Sequence, residues 1–363
     1  MINSLEMTEQ ENSPVNLESP IASLQSGITP TRSFYVRSHF PTPKIDANKW
    51  CLTVESDQEQ KASWQFGLED LKQMPQTAVT ATLECAGNSR RLFQEQAKGE
   101  IQWGEGAVGT AVWSGVHLRH LLRNECKISF NPESQWKAII FVGADGDPAA
   151  KEAGPDENPR KFTRYLGIEK ALHDDDQVII ATHMNGDPLS LEHGFPARLI
   201  VPGWYGMASV KWLSKIVLSR DEPRTYFNDV RYVYQWKGEK GRDPVAQLLV
   251  KSLITHPLNG EEIRLGQAVT ITGKAWSGSG KIAFVEVCEE GGEDSWVWAE
   301  LGEQLSQFGW VSWKKVWKPA KKGRFTIMSR AMDSRGNVQP ERPLQNDYLY
   351  GYNAVGRVTL NVV

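Results

Sequence analysis

Cysteine is scarce in this 363-residue chain: Cys51, Cys85, Cys126 and Cys288 are the whole set, and no two of them lie close in sequence. That excludes a disulfide framework and a zinc knuckle, and it fits a reducing compartment. An excess of one charge is missing too. The 41 Lys and Arg nearly balance 44 Asp and Glu, a formal net charge of -3, so neither nucleic acid nor an anionic membrane is expected as a partner. No apolar run is long enough to span a bilayer, and the N-terminus has neither the basic-then-apolar pattern of a signal peptide nor a twin arginine. Cytoplasmic residence is the expectation. A Walker loop, a dinucleotide fingerprint, an internal repeat and a CxxCH haem site are all lacking.

What is present is a globular composition, 40% hydrophobic and 23% charged, on a chain long enough for two cores. Its 14 tryptophans read as large core and inter-domain packing residues. Residues 1–27 are rich in Glu, Gln, Ser, Asn and Pro, which predicts a disordered tail, with a tail lying on the surface as the alternative. From "SFYVRSHFPTPKID" onward, short strands mix with helical stretches such as "LEDLKQ" and "VHLRHLLRNE". The segment "VIIATHMNGDPLS" predicts two strands about an Asn185-Gly186 hairpin. After "GEKGRDP" the pattern changes to alternating strands separated by Gly, Asp and Asn turns, the signature of a β-sandwich, with the boundary near Pro244.

One stretch raises a chemical question. In "VTATLECAGNSRR" an apolar strand runs into a lone cysteine, a turn and two arginines. A lone cysteine is often a small core residue. Here the turn predicts a sulfur exposed at a strand end, where positive charge favours the thiolate that attacks electrophiles or binds soft metals. Other polar clusters fall on predicted loops of the same domain: Arg37 and His39, Asp145 and Asp147, His193 and Arg198, Ser209 and Lys211. Each has a plain structural reading as a turn former, a cap or a surface ion pair. A zinc site from Cys85, His39 and His193 lacks short-spaced ligand pairs, and a cysteine protease would need a histidine that spacing does not select. What remains is a basic, hydrogen-bonding pocket around one thiolate, suited to a large anionic cofactor.

Together "YVRSHFPTP", "LECAGNSRR", "GADGDP", "MNGDPLSLEHGFPARLIVPGWYGMASVKW" and the β-rich C-terminal region resemble the sulfite oxidase family of molybdenum enzymes, in order and over almost the whole chain after the first 27 residues. The resemblance implies an α+β molybdopterin-binding domain of the sulfite oxidase fold over 28–244, followed by an all-β, immunoglobulin-like dimerisation domain over 245–363. It implies one molybdenum-molybdopterin per chain, with Cys85 as the metal ligand. Cofactor contacts would come from Tyr35, Val36, Arg37, Ser38, His39, Asp145, His193, Arg198, Ser209, Val210 and Lys211. A small oxyanion would meet Arg37, Arg90, Trp103 and Tyr232, with Arg91 either a second anion contact or a surface charge.

The implied reaction is oxidation of sulfite to sulfate in a homodimer. With no haem segment in this chain, electrons would pass to a separate cytochrome, another carrier or oxygen. One departure bears on substrate. In "NDYLYGYNAVGRV", Tyr350 stands where sulfite oxidases of the animal type carry a further arginine. Loss of that charge keeps open a reductase of nitrate or of an S- or N-oxide; a separate reading, from a different class, is a non-catalytic cofactor-binding protein.

Overall fold

The computed structural model describes residues 7–12, 14–56, 62–131, 135–147, 160–236, 242–289 and 296–363. The chain forms an α+β domain followed by a two-sheet β-sandwich. Two five-stranded sheets organise the first domain. One is antiparallel and runs Asp187–Pro188, Ile179–Met184, Val108–His117, Gln76–Glu84, with Arg198–Ile200 also pairing with Ile179–Met184. The other runs Ser63–Gly67, Cys51–Ser56, Leu213–Ser219, Ala138–Gly146, Lys161–Gly167. Its one parallel pair joins Cys51–Ser56 to Leu213–Ser219, strands far apart in sequence. Side-chain alternation decides the faces: in Cys51–Ser56, Leu52 and Val54 are fully buried while Cys51, Thr53 and Glu55 are half-covered.

Helix is a minor component. The helix Leu68–Gln73 begins where Asp70 accepts the Gly67 N–H at 2.7 Å and stops short of Pro75. The segment "VHLRHLLRNE" holds one short helical turn, Leu118–His120, continuing into the wider turn Leu121–Glu125. The hairpin at Asn185-Gly186 forms with φ of 56° and 91°, the two left-handed positions of a tight two-residue turn.

In the second domain, Lys251–His256, Val269–Trp276, Val311–Trp317 and Glu300–Leu301 make one sheet. Glu262–Ile263, Gly356–Val362, Gly323–Asp333, Ile282–Glu289 and Val297–Trp298 make the other. Between them lies an apolar core that includes Ile271, Val285, Trp313, Ile327 and Leu360.

The expected tail is corrected by the structure over residues 7–12 and 14–27; residues 1–6 and 13 lie outside the described residues. Thr8–Asn12 pairs with Val15–Glu18, and Leu17 bridges to Val36. Leu24 is fully buried. Glu18 accepts the Gly104 and Gly106 N–H groups at 3.0 and 2.8 Å, and Trp310 Nε1 donates to Gly27 O at 2.7 Å. Composition predicted too little apolar area to order this arm, but polar groups of both domains hold it.

Candidate functional site

The strand Gln76–Glu84 ends at Cys85, and Asn88 shapes the turn that follows. Its amide donates to Glu84 Oε1 at 2.9 Å, and its side-chain carbonyl accepts the Ala107 N–H at 3.0 Å. The Arg90 guanidinium lies so close over Gly87 that a Cβ there would come within 2.7 Å of it. Only glycine permits that approach. Cys85 is not exposed as the sequence predicts; it is 7% accessible. Burial pushes its thiol pKa up, while Arg37 and Arg90 pull it down. The two cations facing the sulfur are therefore Arg37 and Arg90, whereas Arg91 is exposed and bonds to Gln102 O.

Cys85 forms a wall shared by two adjoining cavities. The larger is a cleft bordered by Tyr35, Val36, Arg37, Ser38, His39, Asp145, His193, Arg198, Ser209, Lys211 and Tyr232. Lys211 Nζ donates to Ser38 Oγ at 2.7 Å and Glu192 O at 2.9 Å. Arg198 donates to His193 O and Ser209 O at 2.9 and 3.0 Å. Burial, reinforced by Arg198 and Lys211, brings the His193 pKa down to about 3 and leaves a neutral ring. Burial and then Arg37 depress His39 as well, and His39 Nε2 lies 2.6 Å from Tyr232 Oη. Asp145 is shifted the other way, up to about 6, by burial opposed by Lys211. Asp145 Oδ1 and Arg198 Nε are buried without a hydrogen-bond partner among the described residues. Leaving a buried polar atom unmatched costs about 1–3 kcal/mol. An unmatched acceptor and donor in one cleft fit a large polar ligand.

The smaller cavity is lined by Arg37, Cys85, Arg90, Glu100, Trp103, Arg231, Tyr232 and Tyr350, among others. Arg90 is 3% exposed; its Nη1 donates to Ile101 O at 2.8 Å and its Nε to Tyr348 O at 3.2 Å. Arg37 Nη1 donates to Asn16 Oδ1 at 3.2 Å and to Ser38 O, so the N-terminal arm helps aim it. Tyr350 is buried, and Arg231 Nη1 donates to its hydroxyl at 2.6 Å. Three non-glycine residues in the strained left-handed region each adjoin a lining residue: Ser89 beside Arg90, Trp212 beside Lys211 and Leu349 beside Tyr350, with φ of 65°, 48° and 52°. Strain of this kind persists where the surrounding structure holds a side chain in place.

The sequence-predicted residues thus converge, with three exceptions, one of them Asp147, which is exposed and lines neither cavity. Val210 is packed in the main core, its carbonyl accepting the Leu199 N–H at 2.8 Å, and it does not line the cleft. Arg91 lies on the surface. Sequence reasoning missed Arg231 and Glu100, isolated charges in "NDVRYVYQW" and "AKGEIQW"; for Arg231 the only available signal was its place beside Tyr232. It also missed Arg164, buried at 1% exposure with its guanidinium 5.8 Å from the Tyr232 ring centre. No cluster of three or more His, Cys, Asp or Glu side chains is arranged to hold a metal among the described residues.

Comparison with known proteins agrees with this geometry. The oxidoreductase molybdopterin binding domain matches residues 39–227, and the Mo-co oxidoreductase dimerisation domain matches 242–361. The chain belongs to the molybdopterin-binding oxidoreductase family. It is 33% identical to the mitochondrial sulfite oxidase of Drosophila melanogaster, over 91% of this chain and 58% of that protein. It is 32% identical to the NADH nitrate reductase of Lotus japonicus, over 96% of this chain and 41% of that one. The chain therefore spans only part of the length of these relatives. Its fold matches the sulfane dehydrogenase SoxCD of Paracoccus pantotrophus, with a TM-score of 0.80, 24% identity, and 99% and 90% of the two chains covered.

Proposed function

We propose that this chain holds one molybdenum-molybdopterin and oxidises sulfite to sulfate, passing electrons to a separate acceptor. The observation that carries the reading is the place of Cys85, on the wall between a cleft with unmatched polar atoms and a pocket of three guanidiniums. Cys85 supplies the soft thiolate for the metal. Asp145, His193, Arg198, Ser209 and Lys211, with the Tyr35–His39 segment, hold the pterin and its phosphate, the cations suiting the phosphate and the neutral histidine and aspartate suiting the pterin edge. When bound, the molybdenum centre supplies oxo transfer and two-electron redox chemistry.

Arg37, Arg90, Arg231 and Trp103 bind and orient the oxyanion beside the metal, and the burial of these groups strengthens each charge-assisted contact. Tyr232 presents a hydroxyl whose direction is set by neutral His39. In the overall reaction, sulfite gains one oxygen derived from water and releases two protons and two electrons. The electrons leave to a cytochrome, another carrier or oxygen.

A second reading, reduction of nitrate or of an S- or N-oxide, draws on Tyr350. A neutral hydroxyl in place of a cation favours an anion of lower charge than sulfite. The deciding experiment supplies purified holoprotein with sulfite and ferricyanide, and separately with nitrate and a reduced viologen. Sulfite-dependent ferricyanide reduction supports the proposal. Viologen oxidation by nitrate alone would replace it with the second reading, and holoprotein inactive in both assays would favour a non-catalytic role.

A further inference from the structure

Glu100 is out of place in a pocket built to receive an anion. Its carboxylate is 15% exposed and faces two of the three guanidiniums: Oε1 is 2.6 Å and Oε2 is 2.7 Å from Arg231 Nη2, and Oε2 is 3.6 Å from Arg90 Nη1. Arg231 and Arg90 line the same cavity as Cys85, Trp103 and Tyr232. A carboxylate is itself a planar oxyanion, and both of its oxygens meet one nitrogen of Arg231, Nη2.

We propose that Glu100 is a built-in competitor of the oxyanion: in the substrate-free protein it holds Arg231 Nη2 and lies within ion-pair reach of Arg90 Nη1, and an entering anion must displace it. Arg231 is then a specificity-determining residue, the third guanidinium of the pocket, supplied by the first domain at the point where the second domain contributes the Tyr350 hydroxyl. The inference rests on the smaller cavity being the oxyanion site.

Charge explains why such an arrangement holds together. Three guanidiniums facing one buried pocket repel one another, and a shared carboxylate between two of them offsets part of that repulsion while the site is empty. The same carboxylate sets a threshold for substrate, because an anion gains only the difference between its own contacts and those of Glu100. A compact, doubly charged anion such as sulfite or sulfate can displace it, whereas a weakly charged one gains less. Glu100 sits on the connection between the turn Arg90–Leu92 and the strand Val108–His117. That connection is braced by its own hydrogen bonds, Gln102 Nε2 donating to Ala97 O at 3.0 Å and Glu100 O at 2.9 Å. Displacement therefore requires rotation of one side chain rather than rearrangement of the loop.

The test measures sulfate binding to the full-length holoprotein by titration calorimetry, so it does not depend on turnover. Glu100→Gln should bind sulfate about tenfold more tightly than the native protein, one decade being about 1.4 kcal/mol. Arg231→Gln should bind it at least that much more weakly. The KM for sulfite should move in the same directions with a smaller change in kcat. Unchanged or weaker sulfate binding by Glu100→Gln would overturn the competitor role, as would absence of binding to both proteins. If Glu100→Gln does not fold, Glu100→Asp decides: it keeps the charge but withdraws it by one methylene, and should give tighter sulfate binding than the native protein, equal binding counting against the proposal. Failure of the sulfite reading itself would show separately, as native protein that binds sulfate yet reduces no ferricyanide.

Discussion

Burial has opposite consequences for the two chemistries open to Cys85. Desolvation keeps the proton on a free thiol, which disfavours a solvent-facing nucleophile of the protease kind. A soft metal changes the balance, since its own charge expels the proton and Arg37 and Arg90 already favour the anion. Cys85→Ser should therefore fold, retain much of its pterin through the contacts at His193, Arg198 and Lys211, and show no sulfite-dependent ferricyanide reduction. Pterin fluorescence and a melting curve check the first two expectations; a folded variant stripped of all pterin would contradict the division of labour. Cys85 was legible in the sequence because its signal is local, an apolar strand running into an Ala-Gly-Asn turn. Its burial was not, since the covering groups come from segments as distant as Tyr232 and Tyr350. Arg231 and Glu100 were illegible for a related reason: an isolated charge carries no period and no spacing, and only the folded chain shows that the two are 2.6 Å apart.

Among the elements, alternation in the strands and the Asn185-Gly186 turn read directly, because side-chain periodicity and left-handed backbone are written into neighbouring residues. The N-terminal arm did not, because beside one buried leucine, Leu24, polar anchors hold it, and they count for nothing in a tally of apolar area. Asn16 is the clearest case: its Oδ1 accepts from Ser38 N at 2.9 Å and from Arg37, so a residue assigned to a tail steadies the pocket. A second polar anchor joins the Cys85 strand to the sandwich. Glu84 accepts from Lys251 Nζ, Trp276 Nε1 and Asn88 Nδ2, each at 2.9 Å, and Lys251 also donates to Ser89 Oγ. Both ends of the ion pair are at most 4% exposed. Removing one partner of such a pair leaves a buried charge uncompensated and costs roughly 3–5 kcal/mol. Lys251→Met should lower the melting temperature sharply, and Lys251→Met with Glu84→Gln should recover part of the loss. Native-like melting of the single variant would mean that Trp276 and Asn88 suffice to hold Glu84.

In the whole molecule, the site is closed by contact between the two domains. Gly351 donates its N–H to Ala86 O at 2.9 Å, Arg90 reaches Tyr348 O, and Tyr350 completes the wall opposite Cys85. The sandwich is thus part of the pocket, and its outward face remains to be covered. Trp298 is 72% exposed beside exposed Val297, stacked on Phe284 with ring centres 6.3 Å apart. A rigid aromatic anchor left in water on a match to the dimerisation domain is what a twofold interface would bury. Light scattering of the full chain should give twice 40.8 kDa. Trp298→Glu places a charge in that interface and should shift the protein toward monomer while leaving the cofactor content unchanged, because neither cavity wall includes Trp298. Native protein running as a monomer would remove the interface altogether. A Trp298→Glu variant that stays dimeric would move it to another face of the sandwich.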